Sequence, residues 1–196
     1  MRLKSPELRG AIIKGAIECY KIDGVQNASM DMIAKKAGTT KATVYAHFGS
    51  KDQLFEAVFD VIRSHNNELA IAPYAGKHSM VGQLVDFYIA FLDHALDENS
   101  LDLYRAIVVE TTRRSAEVPM NVTPGEEDDL IKWLCDAMDD DALNVDNATV
   151  VAKNLMGTVR GRFFWTVLLG IKKISKSERD RQVREAIEYF MRPLIP

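Results

Sequence analysis

The chain has 196 residues, of which 47% are hydrophobic and 27% charged, and a formal charge of −3 at pH 7. These values exclude a collagen-like, mucin-like or disordered chain and leave room for one domain of about 200 residues, or two small ones, with a real core. The mild acidity would argue against a nucleic-acid binder if charge were even along the chain, but residues 1–51 carry nine basic and four acidic side chains, a net +5, and the remainder nets −8.

No stretch alternates with period two over a strand's length, so the expected fold is all-α with about nine helices. Ser5-Pro6-Glu7 predicts a helix start, with Ser as N-cap, Pro at the first position and an acid in the first turn. Leu8, Ile12, Ala16 and Tyr20 then form an i, i+4 stripe that Gly24 ends. Ser29 caps a short second helix with Met30, Ile33, Ala34 and Ala37 inward, and Gly38 closes it. Thr39-Thr40 opens a two-turn third helix, Lys41 to His47, with Val44 and Phe48 inward and Gly49 after it. Ser50-Lys51-Asp52-Gln53 matches the capping box S-x-x-Q and starts a longer fourth helix.

After the break at Pro73–Gly76, Val81 to Ala95 reads as an amphipathic helix, followed by one over residues 101–116. Thr123-Pro124 caps the next, and Glu126, Glu127, Asp128 and Asp129 in its first turn suit the positive end of the helix dipole. Residues 146–171 predict a long, very apolar helix, and residues 177–194 the last one.

Cys19 and Cys135 are far apart without zinc or CxxC spacing, and both are expected to be buried small hydrophobes in a reducing compartment. The N-terminus carries no apolar signal core and no run of about 18 apolar residues occurs, so a soluble, cytoplasmic protein without a membrane span is expected. No phosphate loop, nucleophile elbow or HExxH motif is present, and His65 and His94 have no third ligand beside them. Neither an enzyme, a cofactor nor a metal is expected.

Residues 29–48, SMDMIAKKAGTTKATVYAHF, have the pattern of two short helices joined by a Gly-containing turn, the helix-turn-helix. The second helix keeps Lys41, Thr43, Tyr45 and His47 off its core stripe, with Thr39 and Thr40 at its N-terminus, and can enter a major groove about 12 Å wide. Tyr20, Gly24, Ser29, Ile33, Ala34, Ala37, Gly38, Thr40, Val44, Tyr45, His47, Phe48, Ser50, Lys51 and Leu54 lie at the spacing found in the DNA-binding head of the TetR family of transcriptional regulators, which this segment resembles. It departs mildly, with Thr39 for Val, Ala42 for Gly and Val44 for Leu. Met156-Gly157, Arg160-Gly161 and Leu168-Leu169-Gly170 are similar to the eighth helix of the acriflavine-resistance type.

The resemblance implies a DNA-binding head, residues 1–52, and a helical ligand-binding and dimerisation body, residues 53–196. Ser29 and Thr40, at helix N-termini, support phosphate contacts; Tyr45, His47 and Lys51 match the family's backbone-clamping positions. Thr39, Lys41, Ala42 and Thr43 are placed to meet base edges, Lys41 a guanine and Ala42 or the Thr43 methyl a thymine methyl. Lys35 and Lys36 read as a solvated face. The implied partners are a palindromic double-stranded operator, a second copy of the chain and a small apolar or amphipathic effector. Phe59, Ile62, His65, Tyr88, Phe91, His94, Tyr104, Trp133, Arg162 and Trp165 are the candidate pocket, and Val159, Phe163, Val167, Ile187, Phe190 and Leu194 the candidate dimer interface. Arg160 and Arg162 could answer an anionic ligand or line that interface. The rival reading is a DNA-binding scaffold that recruits a protein and has no small-molecule switch.

Overall fold

A computed structural model describes residues 5–66, 71–114 and 126–196, and the side chains of all of these but 62–66, 99 and 126. Among the described residues there are nine helices and no strand: α1 (Pro6–Asn27), α2 (Met30–Lys36), α3 (Lys41–Phe48), α4 (Lys51–Asn66), α5 (Met80–Ala95), α6 (Glu98–Arg113), α7 (Glu126–Asp139), α8 (Ala148–Val159, continued by Arg160–Phe164 and Trp165–Leu168) and α9 (Lys176–Met191). Two compact units divide them. One holds residues 5–64 with α6; the other holds residues 71–97 and 126–196.

In the first unit the expected caps are in place. Ser5, Ser29 and Thr40 accept from the backbone N–H groups of Leu8, Met32 and Thr43, and Ser50 from that of Gln53. Each such cap is worth about 1 kcal/mol. The i, i+4 stripe of α1 is buried at Ile12, Ala16 and Tyr20 and shares a core with Ile33, Val44, Leu54 and Val58. The crossing of α1 over α2 is set by Gly15, where a Cβ would lie 3.1 Å from the Ile33 carbonyl oxygen and 3.2 Å from the Ala37 nitrogen. Gly24 takes φ 73° and kinks α1, and the chain continues in a helical turn to Asn27, so the helix outlasts the expected stop by three residues. α6 packs on α1 and begins at Glu98, three residues before its expected start.

In the second unit α7 packs on α8, with Leu130, Trp133, Leu134 and Ala137 of α7 and Val151, Ala152 and Leu155 of α8 buried. Asn147 caps α8 by accepting from the Val150 N–H at 3.1 Å. The helix widens into a π turn at Arg160–Phe164 and stops at Leu168, before a Gly170 with φ 69°, three residues earlier than its apolarity suggested. Ser175 rather than a later residue caps α9, which ends in a 3-10 turn, Arg192–Leu194. α9 is tied to α5 by hydrogen bonds from Lys176 and Arg179 to Asp93. One cysteine departs from expectation: Cys19 is buried, but Cys135 lies on the solvent side of α7, where the helical period turns it away from Trp133 and Leu134. The Thr123-Pro124 cap lies outside the described residues. No helix of the described residues is long and apolar enough to cross a membrane.

Candidate nucleic-acid interface

The turn between α2 and α3 is built by Gly38 at φ 65° and by the Thr39 N–H bonded to the Ala34 carbonyl at 2.9 Å. Val44 and Phe48 anchor α3 in the core. The 3.6-residue period therefore leaves Lys41, Ala42 and Tyr45 exposed on the opposite side, with Thr40 exposed before them and Thr39 and Thr43 half-buried. Thr40 Oγ1 lies 2.9 Å from Thr43 Oγ1, so the two hydroxyls at the N-terminus of α3 hold each other. Tyr45 is 43% exposed, which leaves its hydroxyl to reach outward. His47 is half-buried beside Phe48, and its Nδ1 is enclosed with no hydrogen-bond partner among the described residues. Ser29 is exposed at the start of α2.

Two lysines in the candidate set have protein partners. Lys41 donates to Asp31 Oδ2 at 2.7 Å, and Lys51 donates to the Gln26 carbonyl at 2.7 Å, where partial burial pushes its ammonium below the usual lysine range. Lys51 thus ties the end of α1 to the start of α4, a structural task beside any phosphate contact. Lys36 meets Glu18 at 3.3 Å, as suits a solvated helix face.

Sequence reasoning missed Glu110 of α6. Its carboxylate is 1% exposed and accepts from Gln26 at 2.7 Å, Arg113 at 2.9 and 3.1 Å, and Arg114 at 2.6 Å. Arg114 also bonds Asp52 at 2.7 Å and lies over the Phe55 ring at 4.6 Å. The bond from Arg113 is the foremost reason its carboxyl is pushed down to about 2. One acid on α6 therefore meets the end of α1 and, through Arg114, the start of α4. The only local signal was the i, i+3, i+4 spacing of Glu110, Arg113 and Arg114. A cleft of about 400 Å³ beside it runs between Tyr20–Asn27 of α1 and Asp102–Glu110 of α6.

In the second unit Tyr88, Phe91 and Trp133 are buried, and His94 and Trp165 are partly covered. Phe164 is the ring between Phe91 (6.3 Å) and Trp165 (5.3 Å). Arg162 is exposed against Phe163, whereas Arg160 is the buried guanidinium, 5.6 Å from the Phe91 ring centre. Trp133 packs edge-on against Tyr74 at 5.3 Å. Phe59 and Tyr104 are buried in the first unit, and the side chains of Ile62 and His65 lie outside those described. Of the candidate interface residues, Val159, Phe163 and Ile187 are buried within the chain itself, while Val167, Phe190 and Leu194 are partly exposed. The strongly exposed apolar side chains near the end of the chain are Val150, Leu169, Ile171, Tyr189 and Ile195. Among the described residues no three His, Cys, Asp or Glu side chains gather to hold a metal.

Residues 12–58 match the family described as bacterial regulatory proteins, tetR family, and residues 82–193 match the C-terminal domain described as that of AefR-like transcriptional repressors. The transcriptional regulator SrpR of Pseudomonas putida is 40% identical over 73 residues, 37% of this chain and 34% of SrpR. The chain spans from about a third to about half of the length of such curated relatives. A TetR-family regulator from Mesorhizobium loti superposes with a TM-score of 0.77 at 22% identity, over 98% of this chain and all of that one. The flavonoid-responsive regulator FrrA gives 0.76 at 23%, over 98% and 99%. At these identities the two structures share the fold.

Proposed function

We propose, since the chain belongs to the TetR family of bacterial DNA-binding transcriptional regulators, that it works as a homodimeric repressor which a small apolar or amphipathic effector releases from a palindromic operator. The observation that carries the reading is the α2–turn–α3 unit, with Val44 and Phe48 buried and Thr40, Lys41, Ala42 and Tyr45 exposed along the face that a groove would receive. Ser29, Thr39, Thr40, Lys41, Ala42, Thr43, Tyr45, His47 and Lys51 are the proposed DNA-contacting set. The hydroxyls and free N–H groups at the helix starts suit phosphate, and the exposed first turn of α3 suits base edges.

A single two-turn reading helix makes few contacts, and a dimer doubles them on two half-sites, about 34–36 Å apart if one turn separates them. The apolar side chains exposed near the end of the chain, Tyr189 at 80% and Ile171 at 72% among them, support pairing there. An effector site is supported by the aromatic group around Phe91, Phe164 and Trp165 with the buried Arg160. A flavonoid-like aromatic is the first ligand class to try, by analogy with FrrA. Footprinting on the DNA upstream of the chain's own gene, repeated with ligands that raise its melting temperature, tests this. A protected palindrome that a ligand uncovers supports the reading. Ligands that bind yet leave protection unchanged favour the scaffold alternative, and no protection at any salt concentration refutes repression at that site.

A further inference from the structure

We propose that Asp31 is a specificity-determining residue of the DNA head: its carboxylate holds the Lys41 ammonium away from the phosphate backbone, so that Lys41 is left to read a base edge. The proposal rests on the DNA-contact reading above and goes beyond it by assigning a role to an acidic side chain on the DNA-facing surface.

Asp31 lies in the first turn of α2 and Lys41 is the first residue of α3, and the Gly38 turn brings them together with Nζ to Oδ2 at 2.7 Å. Both side chains are open, at 65% and 50% exposed, so the pair is at the surface that would approach DNA. An exposed pair of this kind adds little to folding. Nor does α2 need Asp31 as its cap, because Ser29 already accepts from the Met32 N–H. Its place in the first turn suits the helix dipole, a role that does not call for the bond to Lys41.

A lysine on its flexible four-carbon stem is drawn by the strongest negative field, which on any duplex is the phosphate backbone. Asp31 opposes that. Paired, the two charges cancel and release no counterions on a duplex without the right bases. An ammonium has three donors. One goes to Asp31, and two remain for the O6 and N7 acceptors of a guanine in the major groove. Lys36 is held by a different acid, Glu18, at 3.3 Å.

The test uses the full-length protein, a random-sequence duplex of about 30 bp, and sites that the wild type selects from a randomised library. D31N is expected to bind the random duplex about three- to tenfold more tightly. It is also expected to steepen the log–log salt slope by about one unit per head and to lose about tenfold of its preference at one base pair of each half-site. In a K41A background D31N is expected to change neither the slope nor the base preference. An unchanged slope and preference in D31N overturns the proposal, and so does an equal change with and without Lys41, since Asp31 would then act as a general charge. Wild-type protein that binds no duplex at low salt refutes the DNA-contact reading itself, a result distinct from a D31N that matches a binding wild type. Equal melting temperatures for all variants exclude misfolding as the cause.

Discussion

Lys51 has a structural bond beside the phosphate contact proposed for it. Its family position points to a phosphate, and its Nζ donates to the Gln26 carbonyl at 2.7 Å, which uses one of three donors and leaves two. Lys51→Ala is therefore expected to act twice. It weakens DNA binding on all sequences and lowers the salt slope by about one unit per head. It also costs about 1 kcal/mol of stability, because a backbone carbonyl loses its partner. Salt-series binding together with urea unfolding separates the two effects, and an unchanged slope would remove Lys51 from the phosphate set. The cysteines give a simpler test. Burial raises the Cys19 thiol above its usual range, while Cys135 faces solvent. A thiol reagent should label one cysteine per native chain, Cys135, and two after denaturation, with mass mapping to identify the site. Labelling of Cys19 in native protein would mean that the α1 core opens.

Among the elements, α6 is the one whose role was least legible in the sequence. The starts of α1, α2, α3 and α4 were readable because caps act within three residues, and Ser5, Ser29, Thr40 and Ser50 each make the expected bond. The Glu110 cluster was not, because its partners Gln26 and Asp52 are far away in sequence and local pattern carries no sign of them. The π turn at Arg160–Phe164 was hidden for a related reason. Arg160, four residues after the buried Met156, stays on the inward face, and the extra residue per turn that follows rotates the later faces, so that Arg162 lies outward. The Glu110 carboxyl, ordinarily at 4.5, is held at about 2 in the folded chain. Its contribution is thus fully present above the unfolded value and lost as pH falls from about 4.5 to about 2, on the order of 2–3 kcal/mol. Wild-type stability should fall more steeply through that window than that of Glu110→Gln, as measured by urea midpoints at stepped pH. Gly15 sets a second element-scale prediction. Gly15→Ala places a Cβ 3.1–3.2 Å from the Ile33 oxygen and the Ala37 nitrogen of α2, atoms of the backbone that cannot swing aside. It should cost about 1–3 kcal/mol and lower DNA affinity in step, since α2 follows Ser29 of the proposed contact set and leads into α3.

On the scale of the whole molecule, the acidic total conceals a basic first quarter, and that asymmetry bears on assembly. In the proposed dimer two heads would bring together a charge of about +10 and raise salt-dependent affinity for DNA, while the acidic remainder would discourage indiscriminate binding. The proposed dimer needs an apolar surface to pair through. The expected interface set divides: Val159, Phe163 and Ile187 are buried within the chain, because an apolar stripe cannot reveal whether a helix of its own chain or a second chain covers it, while Val167, Phe190 and Leu194 are partly exposed. The most exposed apolar side chain there is Tyr189 of α9, at 80%, and Val150, Leu169, Ile171 and Ile195 are exposed as well. Tyr189→Asp should leave the fold of the single chain intact, since a group this exposed makes little of the core. If Tyr189 lies at the dimer interface, the same change buries a charge between chains at a cost of a few kcal/mol and shifts the protein toward monomer. Ile187→Asp, by contrast, places a charge in the core and should unfold the chain. Sedimentation at stepped concentrations, read beside circular dichroism, separates these outcomes. A Tyr189→Asp protein that remains dimeric moves the interface elsewhere, and one that is monomeric should also lose most of its operator affinity, because each half-site is then bound alone.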